Sequence, residues 1–314
     1  MTIEAIFSRL NADKGILLGD ESHESLEVFT DQSKIFYIPT LYEEIYSNLN
    51  ARYIIFSAPG ASGKSALAKF IAKKYKGIYW NLANIGIGEN TFYGTLWRAL
   101  KQEDLIDYWD RLKNGKSVLV LDAFDEAEMI SGRTGIEFFL NDLEEAISES
   151  TYPSVVLLAR TETALFLTNL CKDKGIPFSQ YEIGFFTEQN ARTFVVESYL
   201  CREKGGQLTP AIYKAIDEIF LSIKNVLTDT NLYRSFIGYA PILQAIERTI
   251  AEERNTAKLL SKINNEKDIS QQLIYRIIGE LLVREQGKVV NALQKRWVKK
   301  DTSCINFAQV YSTV

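Results

Sequence analysis

The sequence predicts an α/β fold: a parallel sheet with helices on both faces, followed by an all-helical lid domain. Three observations carry this prediction. Apolar strand-length runs alternate with helical stretches about five times between residues 51 and 186, the signature of a parallel sheet covered on both sides. One strand-to-helix turn is made of small residues and ends in Lys64 and Ser65. After about residue 186 the strand signal fades and apolar residues recur at helical spacing. The expected division is a lead-in segment over 1–50, an α/β domain over 51–186 and a helical domain over 187–314. That agrees with roughly two domains for a chain of 314 residues.

The elements follow in order. Residues after Pro39 read as a short helix, Leu41 to Leu49. Tyr53-Ile54-Ile55-Phe56-Ser57 is a continuous apolar run, as expected of a strand buried on both faces. A helix from Lys64 to about Lys74 leads to a second strand, Gly77 to Asn81. Helical stretches cover about 91–113, and Ser117-Val118-Leu119-Val120-Leu121 is the clearest strand. A helix near 135–148 leads to the strand Ser154 to Leu158. Another near 162–174 leads to a last strand, about Tyr181 to Phe185. In the second half, Thr209-Pro210 reads as a cap with proline at the first helical position. Ile212, Ala215, Ile216, Ile219, Phe220 and Ile223 form an apolar stripe, and Leu273, Ile274, Ile277, Ile278, Leu281 and Leu282 form another. Both are expected to be core faces.

Composition excludes several function classes. With 46% hydrophobic and 24% charged residues, the chain is globular rather than disordered, collagenous or a coiled coil. A net charge of -4 supplies no global cationic field for nucleic acid, and Arg284, Lys288, Lys295, Arg296, Lys299 and Lys300 are too sparse to supply one. The single histidine, His23, lies in the acidic run Asp20-Glu21-Ser22-His23-Glu24, so Ser-His-Asp and Cys-His mechanisms are not expected. Cys171, Cys201 and Cys304 are too far apart for a local zinc cluster, and an odd, small number fits a reducing compartment. Met1-Thr2-Ile3-Glu4 lacks a basic start before an apolar core, and no stretch approaches the roughly 18 apolar residues of a membrane helix. A cytoplasmic location without membrane contact is the expectation.

Ala58-Pro59-Gly60-Ala61-Ser62-Gly63-Lys64-Ser65 carries the chemistry. It fits the P-loop pattern, with alanine in place of the first glycine. Small residues let the backbone wrap phosphate with its N–H groups inward, and the following helix, through Ser65 and Ala66, aims its positive end at the anion. Lys64 adds a point charge for the β- and γ-phosphates, and the Ser65 hydroxyl is a ligand for Mg²⁺. Downstream, the strand Val118 to Leu121 ends in Asp122, followed by Ala123-Phe124-Asp125-Glu126. Asp122 is placed to hold Mg²⁺ directly or through water, while Asp125 or Glu126 orients or deprotonates the attacking water. Three acids around one cation are electrostatically reasonable. The strand Leu157-Leu158-Ala159 ends in Arg160, a cation at the ligand edge that can stabilise charge during transfer. No Asn/Thr-Lys-x-Asp segment follows the core strands, and Val298-Lys299-Lys300-Asp301 stands in the wrong place to read guanine. The expected ligands are therefore ATP or ADP with Mg²⁺.

These residues resemble the STAND class of P-loop NTPases, and its NACHT branch in particular. The resemblance rests on Asp122-Ala123-Phe124-Asp125-Glu126, on Arg160, and on Tyr181-Glu182-Ile183-Gly184-Phe185-Phe186-Thr187-Glu188. It covers about residues 35–250. Gly238-Tyr239-Ala240-Pro241 is similar to the family's Gly-x-Pro element, one residue longer, which implies that Pro241 packs on the base from the helical lid. The resemblance implies a signalling switch, closed and monomeric with ADP, that exchanges nucleotide, oligomerises and activates an effector; many bacterial members act against phage. Few residues precede the core, and the chain stops at Val314 without sensor repeats. The expectation is a piece of a longer protein, or a short member whose partners are further copies of itself or a separate effector. The competing readings are an AAA-type DNA-associated motor or loader, a non-catalytic nucleotide-binding scaffold for oligomerisation and, more distantly, a P-loop kinase.

Overall fold

The computed structural model describes residues 1–19, 24–100, 102–202 and 209–252, together with Tyr275, Ile278, Gly279, Leu282, Val283 and Gln286. The chain divides into two units, Met1–Gly184 and Phe185–Val314. The first contains α1 (Ile3–Ile6), β1 (Leu26–Val28), β2 (Tyr42–Tyr46), β3 (Tyr53–Ser57), α2 (Lys64–Lys74) and β4 (Ile78–Asn81). It continues with α3 (Thr91–Ala99), α4 (Gln102–Lys113), β5 (Leu119–Asp122), α5 (Phe124–Ile147), β6 (Val155–Ala159), α6 (Thr161–Asp173) and β7 (Phe178–Ile183).

The seven strands form one mixed, mostly parallel sheet in the order β1-β4-β5-β6-β3-β7-β2. β4, β5, β6, β3 and β7 run parallel; β3, β5 and β6 are the mostly apolar runs that a sheet covered on both faces requires, while β7, Phe-Ser-Gln-Tyr-Glu-Ile, is more polar. β1 and β2 flank them antiparallel, on β4 and β7. Strand periodicity sorts the core into two layers. Tyr53, Ile55, Leu119, Leu121, Val155 and Leu157 face the layer that includes α3, α4, α5 and α6. Ile54, Phe56, Val118, Val120, Val156 and Leu158 face the layer built on Leu67, Ala68, Ile71 and Ala72 of α2.

Three elements differ from expectation. The helix expected over Leu41 to Leu49 is replaced by the edge strand β2, whose partner is β7. β1 is a strand of three residues, too short for periodicity to reveal. The helix expected near 135–148 is the second part of α5; an unexpected first part begins at Phe124, and Gly132 separates the two with φ 69 and ψ 176, a backbone conformation that glycine alone adopts freely.

The second unit contains α7 (Glu188–Arg202), α8 (Pro210–Val226), α9 (Thr230–Ile237) and α10 (Ala240–Glu252), and its described elements are all helices. The α8 stripe Ile212, Ala215, Ile216, Ile219, Phe220 and Ile223 is buried throughout. The buried Glu247 of α10 accepts two hydrogen bonds from Arg202 of α7, from Nε at 2.6 Å and Nη2 at 2.8 Å. Of the second predicted stripe, Ile278 and Leu282 are exposed rather than core residues; Leu273, Ile274, Ile277 and Leu281 lie outside the described residues. No helix among the described residues is long and apolar enough to cross a membrane.

Candidate functional site

Topology selects one edge of the sheet. β3 and β6 are adjacent and parallel, with Ser57 in register with Ala159. From β3 the chain leaves through α2, which packs on β4, β5 and β6 on its way to β4. From β6 it leaves through α6, which packs on β3, β6 and β7 on its way to β7. Two neighbouring strands thus send their connections in opposite directions, and it is at the carboxyl ends of strands that open α/β sheets bind ligands.

The loop Pro59–Gly63 fills the end of β3. Its tight path uses left-handed backbone at Ala61 (φ 62) and at Gly63 (φ 88), the residue that caps α2. Alanine adopts that conformation only against a penalty, so Ala61 marks stored strain. The Ser62 hydroxyl donates to the Pro59 carbonyl at 2.8 Å. The Lys64 ammonium donates back to the carbonyls of Ala58 at 3.0 Å and Pro59 at 2.8 Å. These bonds draw the lysine across the loop. Ser65 is exposed and Ala66 half-buried in the first turn of α2, where amide groups lack helical acceptors.

Strand parity brings the second component to the same side. Val118 and Val120 face α2, so Asp122, two residues on, does as well. Its carboxylate is 2% exposed. Oδ2 accepts from the Tyr79 hydroxyl at 3.1 Å, and Oδ1 from the Ala123 amide at 2.9 Å. Burial pushes the Asp122 pKa up; hydrogen bonds from Ser65, Tyr79 and the Ala123 amide and the charge of Lys64 oppose that rise. Burial and the Asp122 charge raise the Tyr79 phenol far above its usual range, so Tyr79 remains a donor. Ala123 is a second left-handed alanine (φ 65), placed where the chain turns from β5 into α5.

Arg160 follows β6 directly. Its guanidinium lies beside the loop, with Cζ 3.6 Å from where a side chain on Gly60 would begin. Its Nε pairs with Asp125 Oδ2 at 2.7 Å. Farther along α5, Glu128 accepts from the Thr163 hydroxyl at 2.7 Å and pairs with Arg133 at 3.1 Å. Glu126 is half-buried in the first turn of α5.

The edge therefore gathers the 58–66 segment, Asp122, Asp125 and Arg160. The expected cluster of three acids around one cation is not formed: Asp125 turns to Arg160, and no group of three metal-ligating side chains occurs among the described residues. The physical reason is the Arg160 guanidinium, which follows β6 beside β5 and offers Asp125 an opposite charge at 2.7 Å. Pro241 is buried in the first turn of α10, within the second unit. His23, Cys304 and the basic residues between Arg284 and Lys300 lie outside the described residues. Tyr79 and the Glu128–Thr163 bond were not foreseen; the signal for Tyr79 was its strand parity, which places it on the α2 face with Asp122. The chain matches no protein-family model, and no curated protein is similar to it.

Proposed function

We propose that this chain binds and slowly hydrolyses ATP with Mg²⁺, as the switch module of a STAND- or NACHT-like signalling or antiviral defence protein. The single observation that carries the reading is the convergence of the Pro59–Ser65 turn, buried Asp122 and Arg160 at one edge of the sheet. The donors suit a hard divalent cation held by few protein oxygens: the Ser65 hydroxyl and the buried Asp122 carboxylate. When bound, magnesium supplies neutralisation of the phosphate charge.

The chain's own groups divide the remaining work. The loop and first-turn amides, Pro59 to Ala66, cradle the phosphate tail. Lys64 exchanges its two carbonyl acceptors for phosphate oxygens, which are stronger partners for an ammonium. Arg160 stabilises charge on the terminal phosphate, and its present partner Asp125 holds it ready beside Gly60. Asp125 and Glu126 are the groups that orient or deprotonate water. A γ-phosphate that pulls Arg160 from Asp125 gives ATP and ADP unequal affinity for two states, which a switch requires. Partners in this reading are further copies of the chain or a separate effector.

Calorimetry with Mg·ATP on wild type and Lys64→Ala tests the proposal. Binding by wild type and a loss of at least about 100-fold in the variant are expected. Equal affinities would reject the site.

A further inference from the structure

Tyr79 is a tyrosine where packing alone would accept phenylalanine. It is 1% exposed, on a strand whose Ile78 and Trp80 fill the core. Its ring sits 6.2 Å from that of Phe29, and the Lys69 ammonium lies 5.0 Å from its centroid. Lys69 is itself fixed by Glu27 of the edge strand β1, through bonds of 2.8 and 3.0 Å. The ring is thus restrained by β1, α2 and the sheet together. Its hydroxyl does not meet a nearby backbone acceptor but reaches the neighbouring strand, where Asn81 registers with Asp122.

Besides the hydrogen bond from Ser65, Asp122 accepts two that fall on different oxygens: Tyr79 on Oδ2 and the Ala123 amide on Oδ1. One donor lets a carboxylate swing about its χ2 torsion; two donors on separate oxygens fix its plane. We propose that Tyr79 is a positioning residue, whose hydroxyl orients the Asp122 carboxylate for the metal ion that accompanies the phosphate tail. This inference rests on the nucleotide site proposed above. It makes Glu27, Lys69, Tyr79 and Asp122 one chain of contacts from the sheet edge to the site.

The test measures ATP affinity by calorimetry, with Mg²⁺ and with EDTA, for wild type, Tyr79→Phe, Asp122→Ala and the double variant. Tyr79→Phe is expected to reduce the Mg²⁺-dependent gain in affinity roughly tenfold, the scale of a hydrogen bond to a charged group. Binding in EDTA should change less than about twofold, since the loop and Lys64 are intact. On the Asp122→Ala background, Tyr79→Phe should have no further effect. If Asp122→Ala does not fold, Asp122→Asn takes its place. An unchanged Mg²⁺ gain in Tyr79→Phe overturns the positioning role and leaves the nucleotide site standing. An equal loss in EDTA also overturns it, since that is a purely structural defect. Wild type that binds no ATP in either buffer removes the nucleotide reading and this inference together.

Discussion

At the amino end of the sheet, an ion pair joins a strand to a helix terminus; at the carboxyl end, polar groups gather around a loop and a buried carboxylate. Arg52, just before β3, donates to the Ser148 carbonyl at 2.6 Å and to the Ser150 carbonyl at 3.4 Å, and pairs with Glu144. It lies against the negative end of α5, where a cation is favourable. Cys171, nearby on α6, is buried, and burial with the Glu144 charge pushes its thiol up to about 12. The opposite end has left-handed alanines at 61 and 123, a buried carboxylate with a raised pKa, and a lysine that donates to two backbone carbonyls. Both ends hold costly groups, but of different kinds: the amino end leaves Arg52 Nε and Glu144 Oε2 buried without a hydrogen-bond partner, while the carboxyl end bends the chain through left-handed alanines beside a buried carboxylate. The two ends share the same strands, so the difference lies in the loops and not in the sheet.

The comparison can be broken in three ways, from the largest effect to the smallest. Arg52→Ala leaves Glu144, 21% exposed, without its partner and should destabilise the fold by roughly 3 kcal/mol. ATP affinity of the folded fraction should remain within about twofold, because the change is at the far end. Chemical denaturation with parallel calorimetry checks both, and a matching loss of affinity would show that the ends are coupled. Asp125→Asn should do the reverse, slowing single-turnover hydrolysis about 100-fold with binding retained. Unchanged rates in both Asp125→Asn and Glu126→Gln would remove their assigned role. The smallest effect concerns Cys171. A thiol whose folded pKa is raised holds its proton longer in the native state, so its contribution to stability is complete below about pH 9 and is lost as pH rises toward about 12. Cys171→Ala should flatten that alkaline decline. At pH 8, iodoacetamide followed by peptide mass spectrometry should find exposed Cys201 modified and Cys171 intact.

What could be read from the residues depended on how local the cause was. β3, the turn at Pro59–Ser65 and α2 are legible because an apolar run, small residues and a helical pattern adjoin each other. Asp122 and Arg160 are legible as charges that terminate buried strands. β2 is not, since Leu41, Ile45 and Leu49 repeat every four residues like a helix; pairing with β7 overrides that local pattern. Neither the Asp125–Arg160 pair nor the Tyr79–Asp122 bond has a local cause. The first needs β5 beside β6 and the second needs β4 beside β5, and strand order is a property of the assembled sheet.

The opposite departures of α2 and α6 from adjacent strands also bear on how such a protein changes over time. At the carboxyl edge that those departures select, residues 59–62 lie outside both hydrophobic layers, so they can be exchanged without repacking either one. Mutational drift, or an engineer grafting a new recognition segment, can therefore retune selectivity there while the inherited scaffold keeps its thermodynamic margin.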